Sequence, residues 1–259
     1  MDRHLLIAGQ GRAGSTLFYS MMQHALSGFT MPETEVRAGG FLSLPGNVCT
    51  KRPYDIFDFA KLAEAAEGRK QLDLIVTLRD PRDVLTSMHK AVPDDYFYSA
   101  DLTYNIHTPG GPKKTMPGLI LVHMAILEAL KSGLLPRGAF LLKYEHLVAD
   151  PDRIQAMLAE GMGLDFHARF SDFHKRDVDA SMDRAMNGLR PVDGKQIEKW
   201  RAPKHRTRII DQFTRFPTLH DIVIDLGYEP DTSWFDALRE ETADLDTQNV
   251  SRVQRRAGL

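Results

Sequence analysis

The segment Gly9-Gln10-Gly11-Arg12-Ala13-Gly14-Ser15-Thr16 most constrains what this chain can fold into. It has the glycine spacing of a P-loop, but serine stands where the loop's lysine is expected. The apolar run His4-Leu5-Leu6-Ile7-Ala8 ahead of it predicts a strand, and Leu17, Phe18, Met21, Met22, Ala25 and Leu26 behind it follow helical spacing. Strand, glycine loop and helix in that order set backbone N–H groups at a helix N-terminus, where unpaired donors and aligned peptide dipoles hold an anion. The missing lysine narrows the anion. A triphosphate is gripped by that lysine and by magnesium on the neighbouring hydroxyl, whereas here the loop's cation is Arg12. The loop therefore suits a smaller anion held by amides, two hydroxyls and one guanidinium; a glycine-rich turn without a ligand is the plainer alternative.

A second element has the same character. Leu72, Leu74, Ile75, Val76 and Leu78 form a near-continuous apolar run, as in a strand buried on both faces of a parallel sheet. Arg79-Asp80-Pro81-Arg82-Asp83 follows, and proline among acidic residues marks a helix start. Arg79 thus stands at the carboxyl end of a buried strand, where open α/β sheets bind ligands. Ser87 is expected about two turns into that helix, able to meet the same anion. An Arg–Asp capping network is the alternative. The expected fold is a three-layer α/β/α arrangement around a central parallel sheet, like that of P-loop nucleoside triphosphate hydrolases.

Composition sets the frame for these motifs. A chain of 259 residues buries a full core, and a single α/β domain is expected over 1–239, with a polar tail at 240–259. Net charge is −2 with 26% charged residues, which points away from nucleic acid and from anionic membranes as partners. Cys49 is the one cysteine, so no disulfide framework forms within the chain and a reducing compartment is expected. The first strand begins after three residues, leaving no signal-peptide pattern, and Gly118 to Leu130 is too short to span a bilayer; both features predict a cytoplasmic protein. His89, His107 and His123 show no metal-ligand spacing, so no metal is expected.

The motifs together resemble the sulfotransferases that use 3′-phosphoadenosine 5′-phosphosulfate (PAPS). Gly11-Arg12-Ala13-Gly14-Ser15-Thr16 resembles their 5′-phosphosulfate loop, and Leu78 to Val84 followed by Ser87 resembles their 3′-phosphate motif. Lys143-Tyr144-Glu145-His146-Leu147 is similar to their tyrosine–glutamate strand end, with His146 in place of the usual aspartate. Gly194 to Trp200, with the basic stretch after it, resembles their C-terminal glycine–tryptophan segment. The resemblance implies that Gly11, Arg12, Ala13, Gly14, Ser15 and Thr16 bind the 5′-phosphosulfate, that Arg79 and Ser87 bind the 3′-phosphate, and that Tyr144 lies near the adenine. It implies a third 3′-phosphate contact from Arg190 or Lys195. PAPS would be the donor and 3′-phosphoadenosine 5′-phosphate (PAP) the product, with no metal required.

Sulfuryl transfer, treated by analogy with phosphoryl transfer, needs a base for the acceptor and cations at the leaving oxygen. Many members carry a histidine where Cys49-Thr50-Lys51 places Lys51. A lysine is mostly protonated near neutral pH, so Lys51 suits charge stabilisation. Bacterial members acting on sugars use a glutamate just after the first helix, which matches Glu33, with Glu35 beside it. His107 is a further candidate base. Residues 91–118, with Tyr96, Phe97, Tyr98, Tyr104, His107 and Lys113-Lys114, are expected to form an acceptor-binding or lid insertion. Acceptors would be small molecules or carbohydrates, and a second copy of the chain is a candidate partner. A P-loop small-molecule kinase and a non-catalytic nucleotide-binding module are the competing functions.

Overall fold

A computed structural model describes residues 1–88, 98–108, 111–175, 188 and 190–243, with the side chains of 104–114 outside that description. Among these residues the strands are β1 (Asp2–Gly9), β2 (Val48–Lys51), β3 (Lys70–Leu78), β4 (Thr103–Thr108), β5 (Gly111–Pro117) and β6 (Ala139–Lys143). The α-helices are α1 (Ser15–Ala25), α2 (Phe59–Ala66), α3 (Pro81–Leu85), α4 (Leu119–Lys131), α5 (Tyr144–Ala149), α6 (Pro151–Met162), α7 (Pro203–Arg215), α8 (Thr218–Asp225) and α9 (233–243). The chain divides into two units, one of residues 1–79 and 121–195, the other of 80–120 and 196–259.

The first unit is built on a parallel sheet in the order β2-β1-β3-β6. Ile7 pairs with Lys51 on one side and Ile75 on the other, Gly9 with Thr77, and Leu78 with Lys143. Because all four strands run the same way, the residues that follow them emerge at one edge. Gly9 opens into the glycine loop, Leu78 into Arg79 and Lys143 into Tyr144. One face of the sheet, with Leu5, Ile7, Ile75 and Leu142, packs with Phe18, Met21 and Met22 of α1 and with Ile154 and Leu158 of α6. Leu6, Ala8, Leu74 and Val76 alternate to the other face and are fully buried too, while α2 packs on β3. Burial on both faces explains why β1 and β3 read as continuous apolar runs. The expected three-layer α/β/α architecture with a central parallel sheet is what forms.

At the opposite edge Asp73 accepts from Arg3 Nε (2.8 Å) and from Arg137 (2.6 Å). Arg3 also donates to the carbonyls of Met162 and Gly163 at the end of α6. A cation there complements the negative end of the helix and satisfies carbonyls that have no partner within it.

In the second unit β4 and β5 form an antiparallel hairpin, with Tyr104 opposite Met116 and a register shift near His107. Hydrogen-bonded strands thus occupy much of the stretch 91–118 expected as an acceptor-binding or lid insertion. His89, Tyr96 and Phe97 lie outside the described residues, as do Pro109 and Gly110. Val84, Leu85, Tyr98, Trp200, Ile209, Phe213, Leu219 and Ile222 make this unit's core. Asp80 caps α3 by accepting from the Arg82 N–H (2.9 Å), with Pro81 at its first position. The helix is shorter than expected and ends at Leu85, so Ser87 lies beyond it rather than two turns inside. The Ser87 N–H closes a tighter turn onto the Val84 carbonyl (2.9 Å), three residues back instead of four, while the Thr86 hydroxyl donates to the carbonyls of Arg82 (3.1 Å) and Asp83 (3.2 Å). Residues 240–243, expected as the start of a polar tail, continue α9, and 244–259 lie outside the described residues. None of the described helices is long and apolar enough to cross a membrane.

Candidate functional site

The site lies in the first unit, at the carboxyl edge of its sheet, and begins with the glycine loop. Arg12 adopts φ 65° and Gly14 φ 77°, left-handed values that curl the loop into the start of α1. Such a conformation is uncommon for arginine and clusters at ligand sites. Gly14 is the N-cap of α1, no side chain caps the helix, and its first turn carries no acid. The first amides of α1 therefore keep donors and positive partial charge at the loop, beside the buried Ser15 and half-buried Thr16.

Arg79 is fixed from both ends. Its backbone N–H donates to Gln10 Oε1 (2.8 Å), and its guanidinium donates to the carbonyl of Arg12 (3.2 Å). The guanidinium also stacks over the Tyr144 ring, 4.3 Å from its centroid. Tyr144 in turn lies against Gly14, where an added Cβ would stand 2.5 Å from the ring. Loop, β3 end and β6 end are thus joined through one aromatic ring and one guanidinium. Arg79 is 6% exposed and Tyr144 8%, so both are held in place before any ligand binds.

Lys51 brings β2 into the same cluster. Its Nζ donates to Thr16 Oγ1 (3.3 Å) and forms an ion pair with Glu35 Oε2 (2.7 Å). The lysine side chain is 6% exposed, whereas that of Glu35 is 47% exposed, so a largely buried ammonium meets a carboxylate open to solvent. Glu33 is exposed, and the carboxylate in contact with Lys51 is that of Glu35. Cys49, two residues before Lys51, is fully enclosed; burial raises its thiol pKa far above the ordinary range, which makes it a packing residue rather than a nucleophile.

The structure thus brings Gly11, Arg12, Ala13, Gly14, Ser15, Thr16, Glu35, Lys51, Arg79 and Tyr144 to one edge of one unit. Arg190 and Lys195 are exposed residues of the same unit, and Lys195 is engaged by Asp193 through its backbone N–H (3.2 Å) and its Nζ (3.4 Å). Ser87 belongs to the second unit, where its N–H donates to the Val84 carbonyl (2.9 Å) and its carbonyl accepts from Tyr98 (3.3 Å). His107 falls on β4, its side chain outside the described residues. Among the described residues no three His, Cys, Asp or Glu side chains are grouped to hold a metal ion.

No sequence motif marks Gln10, which anchors Arg79, or Tyr19 and Gln23, which donate to the Pro32 carbonyl. Gln10 was visible as a polar residue between two glycines. Tyr19 and Gln23 continue the helical spacing of Ser15, at intervals of four, and so lie on the stripe of α1 that begins in the loop.

No protein-family model matches the chain, and no curated protein resembles it in sequence. Among solved structures, the sulfotransferase domain from the curacin biosynthetic pathway is 14% identical, with 82% of this chain and 97% of that domain covered at a TM-score of 0.43. The sulfotransferase domain from the Synechococcus PCC 7002 olefin synthase is also 14% identical, with 78% of this chain and 88% of that domain covered at a TM-score of 0.50. With its parallel sheet, and with a glycine loop between β1 and α1, this chain has a sulfotransferase-like fold.

Proposed function

We propose that this chain is a sulfotransferase that moves a sulfuryl group from PAPS to a hydroxyl or amine of a small-molecule or carbohydrate acceptor. The observation that carries the reading is the Lys51 ammonium beside Thr16 Oγ1, at the mouth of a glycine loop that lacks its own lysine. A cation from β2 thus meets the hydroxyl of a loop that carries no lysine of its own.

The donor set fits a phosphosulfate. Loop amides from Gly11 to Thr16, the hydroxyls of Ser15 and Thr16 and the Arg12 guanidinium are all hydrogen-bond donors to anionic oxygen. Arg79, anchored by Gln10 and by the Arg12 carbonyl, is assigned to the 3′-phosphate, and Tyr144 backs its guanidinium. Ser87 and the alternatives Arg190 and Lys195 keep their assignments to that phosphate from the sequence resemblance alone.

When bound, PAPS supplies an activated sulfuryl group whose displacement leaves negative charge on the departing 5′-phosphate. Lys51 is assigned to stabilise that charge, and its burial supports the assignment, since such stabilisation is worth most from a buried ammonium. Glu35 is assigned as the base: its carboxylate is exposed to an incoming acceptor and oriented by Lys51 toward the first turn of α1. Positioning of this kind, with proton removal by a held carboxylate, is the chemistry the cluster can perform.

Calorimetric binding of PAP, with AMP and magnesium ATP as controls, tests the reading. Metal-independent binding that depends on the 3′-phosphate is expected. Preference for magnesium ATP would establish the kinase reading instead, although serine in place of the loop lysine speaks against it.

A further inference from the structure

Glu35 is half exposed and stands on a segment without regular secondary structure, between α1 and β2. Transfer to an acceptor requires that its carboxylate keep a fixed distance from the donor cradle. Part of that distance is set by Lys51, which bonds Glu35 and Thr16 together. A second device operates three residues before Glu35, on the backbone carbonyl of Pro32.

Two side chains of α1 donate to that carbonyl. Tyr19 Oη reaches it at 2.7 Å and Gln23 Nε2 at 2.9 Å. The Gln23 amide also lies 3.4 Å from the Glu33 carbonyl, and the Tyr19 hydroxyl 3.4 Å from the Cys49 carbonyl on β2. Tyr19 is fully buried. Pro32 has a fixed φ and no N–H, so its carbonyl is the polar handle by which its backbone can be gripped. Both lone pairs of that oxygen are engaged from one helix. Ser15, Tyr19 and Gln23 follow one another at four-residue intervals, so the helix whose first turn faces the donor also grips the segment that carries the acid.

We propose that Tyr19 and Gln23 are positioning residues for Glu35, holding its segment in register with the donor cradle through the Pro32 carbonyl. The inference rests on the sulfotransferase reading and on Glu35 as its base. It assigns no contact with donor or acceptor to either residue. With two donors on one acceptor, loss of one leaves the other in place, so the loss in the double variant exceeds the sum of the two single losses. This non-additivity is characteristic of groups that share a partner.

The test compares wild type with Tyr19→Phe, Gln23→Met and the double variant. Turnover of PAPS to PAP is followed with water and with a fixed set of phenol, sugar and amine acceptors. Affinity for PAP and thermal midpoint are measured alongside. In the double variant kcat is expected to fall by about tenfold to a hundredfold, the range that a misplacement near 1 Å produces. Its KM for PAPS and Kd for PAP are expected to stay within about twofold, because the cradle itself is untouched. The effect should vanish in a Glu35→Gln background, where no base remains to be positioned. An unchanged kcat in the double variant would overturn the inference while leaving the sulfotransferase reading intact. A parallel loss of PAP affinity, or a kcat loss that persists in full in the Glu35→Gln background, would assign both residues to general support of the fold and overturn it equally. If wild type fails to bind PAP or to turn over PAPS, the functional reading falls and the inference falls with it.

Discussion

The Arg79 guanidinium lies over the Tyr144 ring at 4.3 Å from its centroid, and the same ring lies against the bare Cα of Gly14. Three carboxyl-edge features are therefore interlocked: the loop after β1, the residue after β3 and the residue after β6. An arginine stacked on a tyrosine face directs its N–H groups outward in its own plane, as Arg79 does toward the Arg12 carbonyl, and guanidinium groups bind phosphate through the same in-plane donors.

Gly14→Ala should disrupt this lock in two ways. A residue with a side chain pays roughly 1–2 kcal/mol for a left-handed backbone, and its Cβ would stand 2.5 Å from the Tyr144 ring. Lower thermal stability and weaker PAP binding are expected together. A Gly14→Ala protein with wild-type PAP affinity would show that the ring does not set the loop.

Arg79→Ala should weaken PAP far more than AMP. Hydrogen bonds to a charged group contribute roughly 1.5–3 kcal/mol each, about a tenfold to hundredfold change in Kd. Equal loss for the two nucleotides in calorimetry would remove Arg79 from the 3′-phosphate.

Glu35→Gln should lower kcat by about a hundredfold to ten-thousandfold, as expected when a general base is lost. PAP affinity should hold, since the donor cradle keeps its amides and cations. Glu33→Gln should stay within about twofold of wild type. Reversal of the two outcomes in PAPS turnover assays would transfer the base to Glu33.

His4 links stability to pH. It is buried, with Nε2 2.8 Å from Thr50 Oγ1, and its pKa falls from 6.5 to about 4 because burial, and then the charge of Lys70, disfavour the imidazolium. Below pH 6.5 the unfolded chain binds a proton that the folded chain does not take until about pH 4. Its contribution is therefore full above pH 6.5 and lost as pH falls toward 4, amounting to roughly 3 kcal/mol. Urea unfolding of wild type and His4→Phe at pH 7.5 and 4.5 checks this: the variant should lose less stability on acidification.

Arg82 tests the second unit by itself. It is 2% exposed, paired with Asp80 (2.8 Å) and Glu229, and stacked against Trp200 and Trp234 at 4.0 and 4.6 Å. Arg82→Met leaves two carboxylates without their cation, and removing one partner of a buried pair costs about 3–5 kcal/mol. The chain has 2 tryptophans and both touch this residue, so intrinsic fluorescence reports the change directly. Emission and unfolding midpoint both unchanged would refute the account.

Apolar periodicity, glycine spacing and helix-start chemistry are local signals, and they specify the strand–loop–helix from His4 to Leu26 and the buried strand ending at Arg79, whereas the strand end at Tyr144 follows from the family resemblance. The same resemblance singles out Lys51 as a cation suited to charge stabilisation. Ser87 falls outside α3 because the chain tightens there, its N–H donating to the Val84 carbonyl three residues back, a change of turn that apolar periodicity does not encode. Only the tertiary structure chose Glu35 over Glu33 as the partner of Lys51, since that depends on how an irregular segment lies beside β2. It likewise decided that Tyr144 lies against both Gly14 and Arg79, and that Tyr19 and Gln23 meet on Pro32. These contacts join residues far apart in the chain, and the parallel sheet brings them together because it delivers every strand's carboxyl end to the same edge.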